Sequence, residues 1–230
     1  MLNKKDIVIK LGNRIFHYRN LLFPFLYATL FIPTPEIFSG EWAVVNGVVL
    51  ISTGMFIRIV TIGFDYIKRG GLNRNIHATN LVIGGIYSLC RNPMYLGNIL
   101  ILAGFGILAN SLIFILLFFP LFVFLYYSII KAEEAFLLNK FGEEYKIYKN
   151  SVNALLPNLK KIESAVKNYQ FNWKRVLSKE YNSFFIYLMG IKAIRFNQGK
   201  TDISSFLIYA VIIIVLYCTV RFLKKNHFLD

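Results

Sequence analysis

The chain has 230 residues, of which 56% are hydrophobic and only 17% charged, and a net charge of +14. A chain of this size is either a small soluble domain or an integral membrane protein, and apolar runs near the length of about 20 residues that a bilayer-crossing helix needs decide for the membrane. The basic residues lie in the loops and form no RNP, zinc-finger or helix-turn-helix pattern, which excludes a nucleic-acid partner.

Lys4, Lys5, Lys10, Arg14 and Arg19 precede the first apolar run, Leu21 to Ile32. That run has no small-residue cleavage site after it and reads as an uncleaved span extended to about residue 38. The next connection, Pro33 to Glu41, carries glutamates and no Lys or Arg, so the positive-inside rule places the N-terminus in the cytoplasm. Trp42 to Phe64 forms the second span, with Lys68, Arg69 and Arg74 inside after it. A Gly/Asn-rich connection leads to a hairpin of two spans, Tyr95 to Asn110 and Ser111 to Ile130, joined by a tight turn around Asn110; Pro120 is expected to kink the second of them.

The Lys-rich stretch from Lys131 to Lys179 returns inside. Within it Leu137, Leu138, Phe141, Tyr145 and Tyr148 recur at three-to-four spacing, the pattern of an amphipathic helix along the cytoplasmic face, interrupted at Gly142. Tyr169 to Tyr187, with Trp173, Lys174, Arg175 and Lys179, suits anionic headgroups. Ser183 to Ile194 is a fifth span or an interfacial helix, and Ser205 to Leu223 is the last. Arg221, Lys224 and Lys225 favour a cytoplasmic end at Asp230, hence six spans rather than five. The expected fold is all-α: a polytopic helical protein of the inner (plasma) membrane with about six transmembrane helices, alternatively five, and a cytoplasmic amphipathic helix closing a pocket.

The chemistry concentrates at "YSLCRNPMYLGN", residues 87 to 98. Pro93 suits the first turn of a helix, whose free backbone donors favour an anion. Arg91 offers a planar fork for a carboxylate, and Asn92 a donor and an acceptor. Taken singly, Arg91 reads as a snorkelling anchor, Tyr87 and Tyr95 as aromatic-belt residues, and Glu133 and Glu134 as solvated charges at a span end. The hairpin, however, returns the glutamates to the face and depth of Arg91. An arginine fork, tyrosine rings, a carboxylate and an apolar wall together suit S-adenosylmethionine: a carboxylate for the arginine, ribose hydroxyls for the glutamate, a sulfonium for the aromatic faces. His17, His77 and His227 are scattered without ligand spacing, so no metal is indicated, and Cys90 and Cys218 read as free thiols without a role.

Two ordered motifs, "LVIGGIYSLCRNPMYLGN" and "EEAFLLNKFGEEYKIYKNSVNALLP", resemble the signatures of the integral-membrane methyltransferases that include isoprenylcysteine carboxyl methyltransferase and the phospholipid N-methyltransferases. The resemblance covers roughly residues 77 to 157. It implies Thr79, Leu81, Val82, Tyr87, Asn92, Pro93, Met94, Tyr95 and Glu133 as cofactor contacts, with Arg91 supporting the turn or holding the methionyl carboxylate. It also implies a division into N-terminal helices (1–69), a catalytic core (70–159) and a C-terminal segment (160–230).

Two positions depart from the family. Asn92 stands where the family has His and cannot act as an acid or base near neutral pH. Ile129 stands where the prenylcysteine enzymes carry an Arg, which argues against a prenylated protein terminus as acceptor. Methyl transfer from a sulfonium needs positioning and a dry site, with Glu134 as the candidate base where the acceptor must lose a proton. The expected acceptor is a lipid or another apolar or small molecule, entering from the bilayer between the third and fourth spans. Two other readings stay open at this level: a sterol-type reductase using NADPH, whose nicotinamide pocket carries a similar Arg-x-Pro-x-Tyr turn, and a small transporter or assembly protein.

Overall fold

A computed structural model describes residues 4–64, 71–167, 169–226 and 228. Lys68, Arg69, His227 and Asp230 lie outside the described residues. The helices are α1 (Lys4–Ala28), α2 (Gly40–Phe64), α3 (Pro93–Ala109), α4 (Phe119–Ser151), α5 (Ile162–Val166), α6 (Trp173–Asn197) and α7 (Ile203–Lys225). One small departure from an all-α chain is the antiparallel pair β1 (Gly71–Leu72) and β2 (Asn75–Ile76). Its turn residues Asn73 and Arg74 have φ of 52° and 63°, as a two-residue primed hairpin turn requires.

Among the described residues, three helical stretches are long and apolar enough to cross a membrane: α2, the 38 residues from Phe114 to Ser151, and α7. α3 is as apolar but has 17 residues, the lower limit for a span at about 17 to 25 residues. The stretch from Phe114 would extend about 57 Å as a straight helix, whereas the hydrocarbon core is about 30 Å thick. Its apolar part ends at Ile130, so the residues from Lys131 onward project beyond the membrane-spanning segment.

The tightest packing joins α2 to α3. Gly54 lies so close to α3 that a Cβ there would stand 2.5 Å from the Gly97 carbonyl oxygen, and a Cβ on Gly104 would stand 2.7 Å from the Gly47 oxygen. Two glycine pairs thus let the helix backbones touch, the arrangement small residues permit where lipid offers no hydrophobic drive. α1 approaches α4 similarly, with Gly12 against the Ser128 carbonyl. At the α3–α4 hairpin, Asn110 takes the left-handed conformation at φ 53°. Its Oδ1 accepts from the Ile37 and Phe38 amides at 3.1 Å and its Nδ2 donates to the Phe38 carbonyl at 2.9 Å, fastening the 33–39 connection to the hairpin tip. The expected break at Pro120 is accommodated by a widened π turn, Phe114–Phe118, immediately before α4.

Two elements differ from the sequence reading. α1 starts at Lys4, not near Leu21, and ends at Ala28 with a single 3-10 turn, Thr29–Phe31, rather than running to residue 38. Leu11, Ile15, Leu22 and Leu26 form one apolar stripe on the core while Lys5, Lys10 and Arg14 stay exposed, so the basic prefix is itself helical. α6 joins the part of Tyr169 to Tyr187 from Trp173 onward with Ser183 to Ile194 in one helix of 25 residues, capped by the Asn172 side chain, which accepts from the Arg175 amide at 2.8 Å. Its polar content hides a partner. Glu180 is 4% exposed and forms a two-pronged pair with Arg58 of α2, whose Nη2 donates to Glu180 Oε2 at 2.9 Å. Arg58 Nη1 also donates to Asn98 of α3.

Gly54→Leu is expected to wedge α2 from α3 and to lower the thermal midpoint in detergent by several degrees, whereas Gly40→Leu, in open space, leaves it unchanged. Glu180→Ala strands a buried guanidinium and is expected to destabilise the fold by about 3–5 kcal/mol; Arg58→Met with Glu180→Leu should recover most of that loss in the same melts.

Candidate active site

The site lies where α3 begins and α4 outruns its apolar part. Pro93 is the first residue of α3, with Asn92 as its N-cap. Asn92 does not cap through its side chain; its amide and Nδ2 both donate to the Ala154 carbonyl at 3.0 Å. The Arg91 amide donates to the Asn153 carbonyl at 2.9 Å, and the Asn158 amide to the Leu89 carbonyl at 3.0 Å. The R-N-P turn is thereby laced to the chain that follows α4. What brings that chain back is Gly142, whose φ of 52° and ψ of −124° break α4 and are accessible to glycine alone without strain.

One carboxylate organises this end. Glu134, 4% exposed, accepts from Arg91 Nη2 at 2.7 Å through Oε1, and Oε2 lies 3.1 Å from both Lys131 and Lys149. Desolvation would raise its pKa, but the bonds from Arg91, Lys149 and Lys131 outweigh it and hold the carboxyl below its usual range. Arg91 Nη1 also donates to the carbonyls of Lys149, at 2.7 Å, and Val152. Its Nε is buried without a hydrogen-bond partner.

The neighbouring Glu133 lies in a different environment. It accepts from the Tyr95 hydroxyl at 2.8 Å, and burial pushes its carboxyl up to about 7 against the lowering pull of that bond and of the Arg19 charge. Tyr148 donates to the Tyr87 carbonyl at 2.8 Å. Burial also raises the Cys90 thiol, as expected of an inert free cysteine.

Two cavities meet at this wall. The smaller, about 60 Å³, is lined by Leu81, Val82, Tyr87, Arg91, Asn92, Glu133 and Glu134 among the residues singled out in the sequence. Ala78, Asn80, Leu137, Tyr145 and Tyr148 complete it; the last three already stood on the amphipathic stripe. Thr79, Pro93 and Met94 do not line it, and Tyr95 reaches it only through its bond to Glu133. Room for about two water molecules makes this cleft closed to a nucleoside. Segment 77–84 covers it, held by the Lys140 side chain donating to the Ala78 carbonyl.

The larger cavity, about 870 Å³, is apolar and lies within the helices, between α1, α2, α3, α4 and α6. Tyr95 lines it, so the Tyr95–Glu133 bond forms the partition between the two. Nothing in the sequence pattern announces this cavity, because its walls come from helices far apart in the chain. Among the described residues no cluster of three or more His, Cys, Asp or Glu could hold a metal.

Comparison with known proteins finds relatives named for metal resistance. Over 79 residues the chain is 35% identical to a cobalt-zinc-cadmium resistance protein of Cupriavidus metallidurans, covering 34% of this chain and 36% of that one. Over 138 residues it is 27% identical to a nickel-cobalt-cadmium resistance protein of Alcaligenes xylosoxydans xylosoxydans, covering 52% of this chain and 64% of that one. In both matches the chain spans less than two thirds of the relative's length. No solved structure gives a significant match. Residues 42–144, from α2 past the break in α4, match the family described as phospholipid methyltransferase, so the likeness carried by the two motifs is found again over the part of the chain that holds Arg91, Glu133 and Glu134.

Proposed function

We propose that the chain is an integral-membrane methyltransferase that transfers a methyl group from S-adenosylmethionine to an apolar acceptor drawn from the bilayer. The observation that carries this reading is the shared wall itself: the R-N-P turn and the Glu133–Glu134 pair meet around one cleft, and the Tyr95–Glu133 bond joins that cleft to the lining of a large apolar cavity. The basic prefix on α1 supports a cytoplasmic N-terminus and a cytoplasmic cleft, in a chain that crosses the membrane six times with α1 and α6 among the spans.

The residues fit the donor. Glu133 is an acceptor for ribose hydroxyls, the unpaired Nε of Arg91 is a donor left for a carboxylate, and Tyr87, Tyr145 and Tyr148 supply aromatic walls. Bound there, the sulfonium supplies an already activated leaving group, so the protein's task is positioning and exclusion of water. Glu134, locked to three cations, serves better as a structural anion than as the base expected of it. The proton-accepting position falls instead to Glu133, reached from the cavity through the Tyr95 hydroxyl. Loading requires segment 77–84 to swing away from α4, and the Lys140–Ala78 bond that holds it is made by an exposed lysine. α1 and α6 do not pair along their lengths among the described residues, so the side they bound is where an acceptor enters, rather than between α3 and α4.

Equilibrium binding in detergent should show S-adenosylhomocysteine retained by the wild type and weakened about ten- to a hundredfold by Glu133→Ala, the range of a lost charge-assisted bond. NADPH should be ignored; tight NADPH binding without a homocysteine signal would make the site a reductase pocket. Incubation of membranes with radiolabelled methyl donor should move label into the lipid fraction, and protein-bound label alone would overturn the lipid acceptor.

Affinity should also depend on pH. Glu133 accepts most strongly when ionised, so binding is full above about pH 7 and falls as pH drops through that value, while Glu133→Gln, a weaker neutral acceptor, binds weakly and flat across the same titration.

A further inference from the structure

The larger cavity carries more than the statement that it is apolar. Two arginines line it, and they differ. Arg58 is spoken for: its Nε and Nη2 hold Glu180, Nη1 holds Asn98, and Nη2 also reaches Ser183 Oγ at 3.4 Å. Its charge is cancelled in place, and an anion arriving there would have to displace a buried carboxylate. Arg19, on α1, has no acidic partner within ion-pairing distance among the described residues. Its guanidinium lies 3.9 Å from the centre of the Phe16 ring, which fixes the group without neutralising it. Among the described residues the cavity therefore has one cation without an ion-paired carboxylate, felt by Glu133 only at longer range, on the wall that also holds Tyr95.

Shape narrows the occupant further. Arg19 and Ala28 both line the cavity from α1, nine residues and about 14 Å apart along the helix axis, close to the depth of one leaflet at half of about 30 Å. A volume of 870 Å³ falls in the range of about 300–1,000 Å³ that holds one drug-sized ligand. At the far end Gly190 of α6 faces Phe105 of α3, where an added Cβ would come within 3.1 Å of the ring.

From this we infer that the cavity binds a single-chain amphiphile with an anionic oxygen head, Arg19 holding the head beside Tyr95 and the chain running along α1 and α6 toward Gly190 and Phe105. Calling that molecule the methyl acceptor rests on the methyltransferase reading; its binding does not. α1 and α6 lie outside residues 42–144, so the groups that choose the occupant come from parts of the chain beyond the family match. A two-chain phospholipid would have to leave one chain outside a cavity of this volume, and a neutral alcohol leaves Arg19 unpaired in an apolar wall.

The test uses the full chain in nanodiscs of zwitterionic phosphatidylcholine, well above neutral pH, with dansylaminoundecanoic acid as the fluorescent probe. Saturable binding is expected, with displacement by laurate or dodecyl phosphate. Dodecanol and phosphatidylglycerol should be at least about tenfold weaker, the factor set by one charge-assisted pair. Laurate acting alone identifies a carboxylate head, dodecyl phosphate acting alone a phosphate head, and either supports the site. Arg19→Gln should lose the preference for acid over alcohol and Arg19→Lys should restore part of it, while Gly190→Leu should weaken laurate more than octanoate. Equal displacement by dodecanol, or an unchanged preference in Arg19→Gln, overturns the inference. S-adenosylhomocysteine binding is followed in every sample: its absence from wild type that still binds the acid sinks the methyltransferase reading and leaves the cavity assignment standing.

Discussion

The site depends on one buried carboxylate. Glu134 gathers Arg91, Lys131 and Lys149 around its two oxygens, and Arg91 in turn spans to the carbonyls that end α4. A lone ion this deeply buried would be too costly to keep charged; matched on every side, it holds the start of α3, the projecting part of α4 and the chain after it as one body. Everything read as functional hangs from that body. Glu133 is aimed at Tyr95 because its neighbour is immobilised, and the R-N-P turn keeps its shape because both Nη groups of Arg91 are committed to Glu134 and to the carbonyls of Lys149 and Val152, which leaves its Nε alone for a ligand.

A division of labour between adjacent, chemically identical residues follows. Glu134 faces three cations and stays ionised, whereas Glu133 faces a tyrosine, has one distant positive charge, and titrates near neutrality. Successive positions on a helix point about 100° apart, so a pair of like residues can serve two unlike surroundings. The same contrast separates the two cavity arginines, one cancelled by Glu180 and one left open.

Local chemistry was legible in the sequence and distant pairing was not. Pro93 at the first turn, Asn110 at the hairpin tip and the break at Gly142 each act within a few residues of themselves, and each lies where its own backbone preference puts it. The meeting of Arg91 with the glutamates could be inferred because a hairpin of two apolar runs leaves little choice of geometry. Which glutamate would hold the arginine could not, since that depends on Lys149 returning after the break. The pairing of Glu180 was hidden for the same reason, its partner being 122 residues away. The prefix of α1 was misplaced because its lysines and arginines masked an apolar stripe, and Tyr169 to Tyr187 and Ser183 to Ile194 were read as two overlapping stretches because one is charged and the other apolar.

Gly142 has a consequence for how this protein tolerates change. A methyl group added there touches nothing, since the space around it is open, yet it forbids the backbone angles that fold the last turns of α4 beneath the threshold. A straightened α4 would carry Tyr145, Tyr148 and Lys149 out into water together, removing the floor of the cleft and one of the three cations in a single stroke. An exposed and uncrowded residue is thus the one whose side chain has the least freedom to exist.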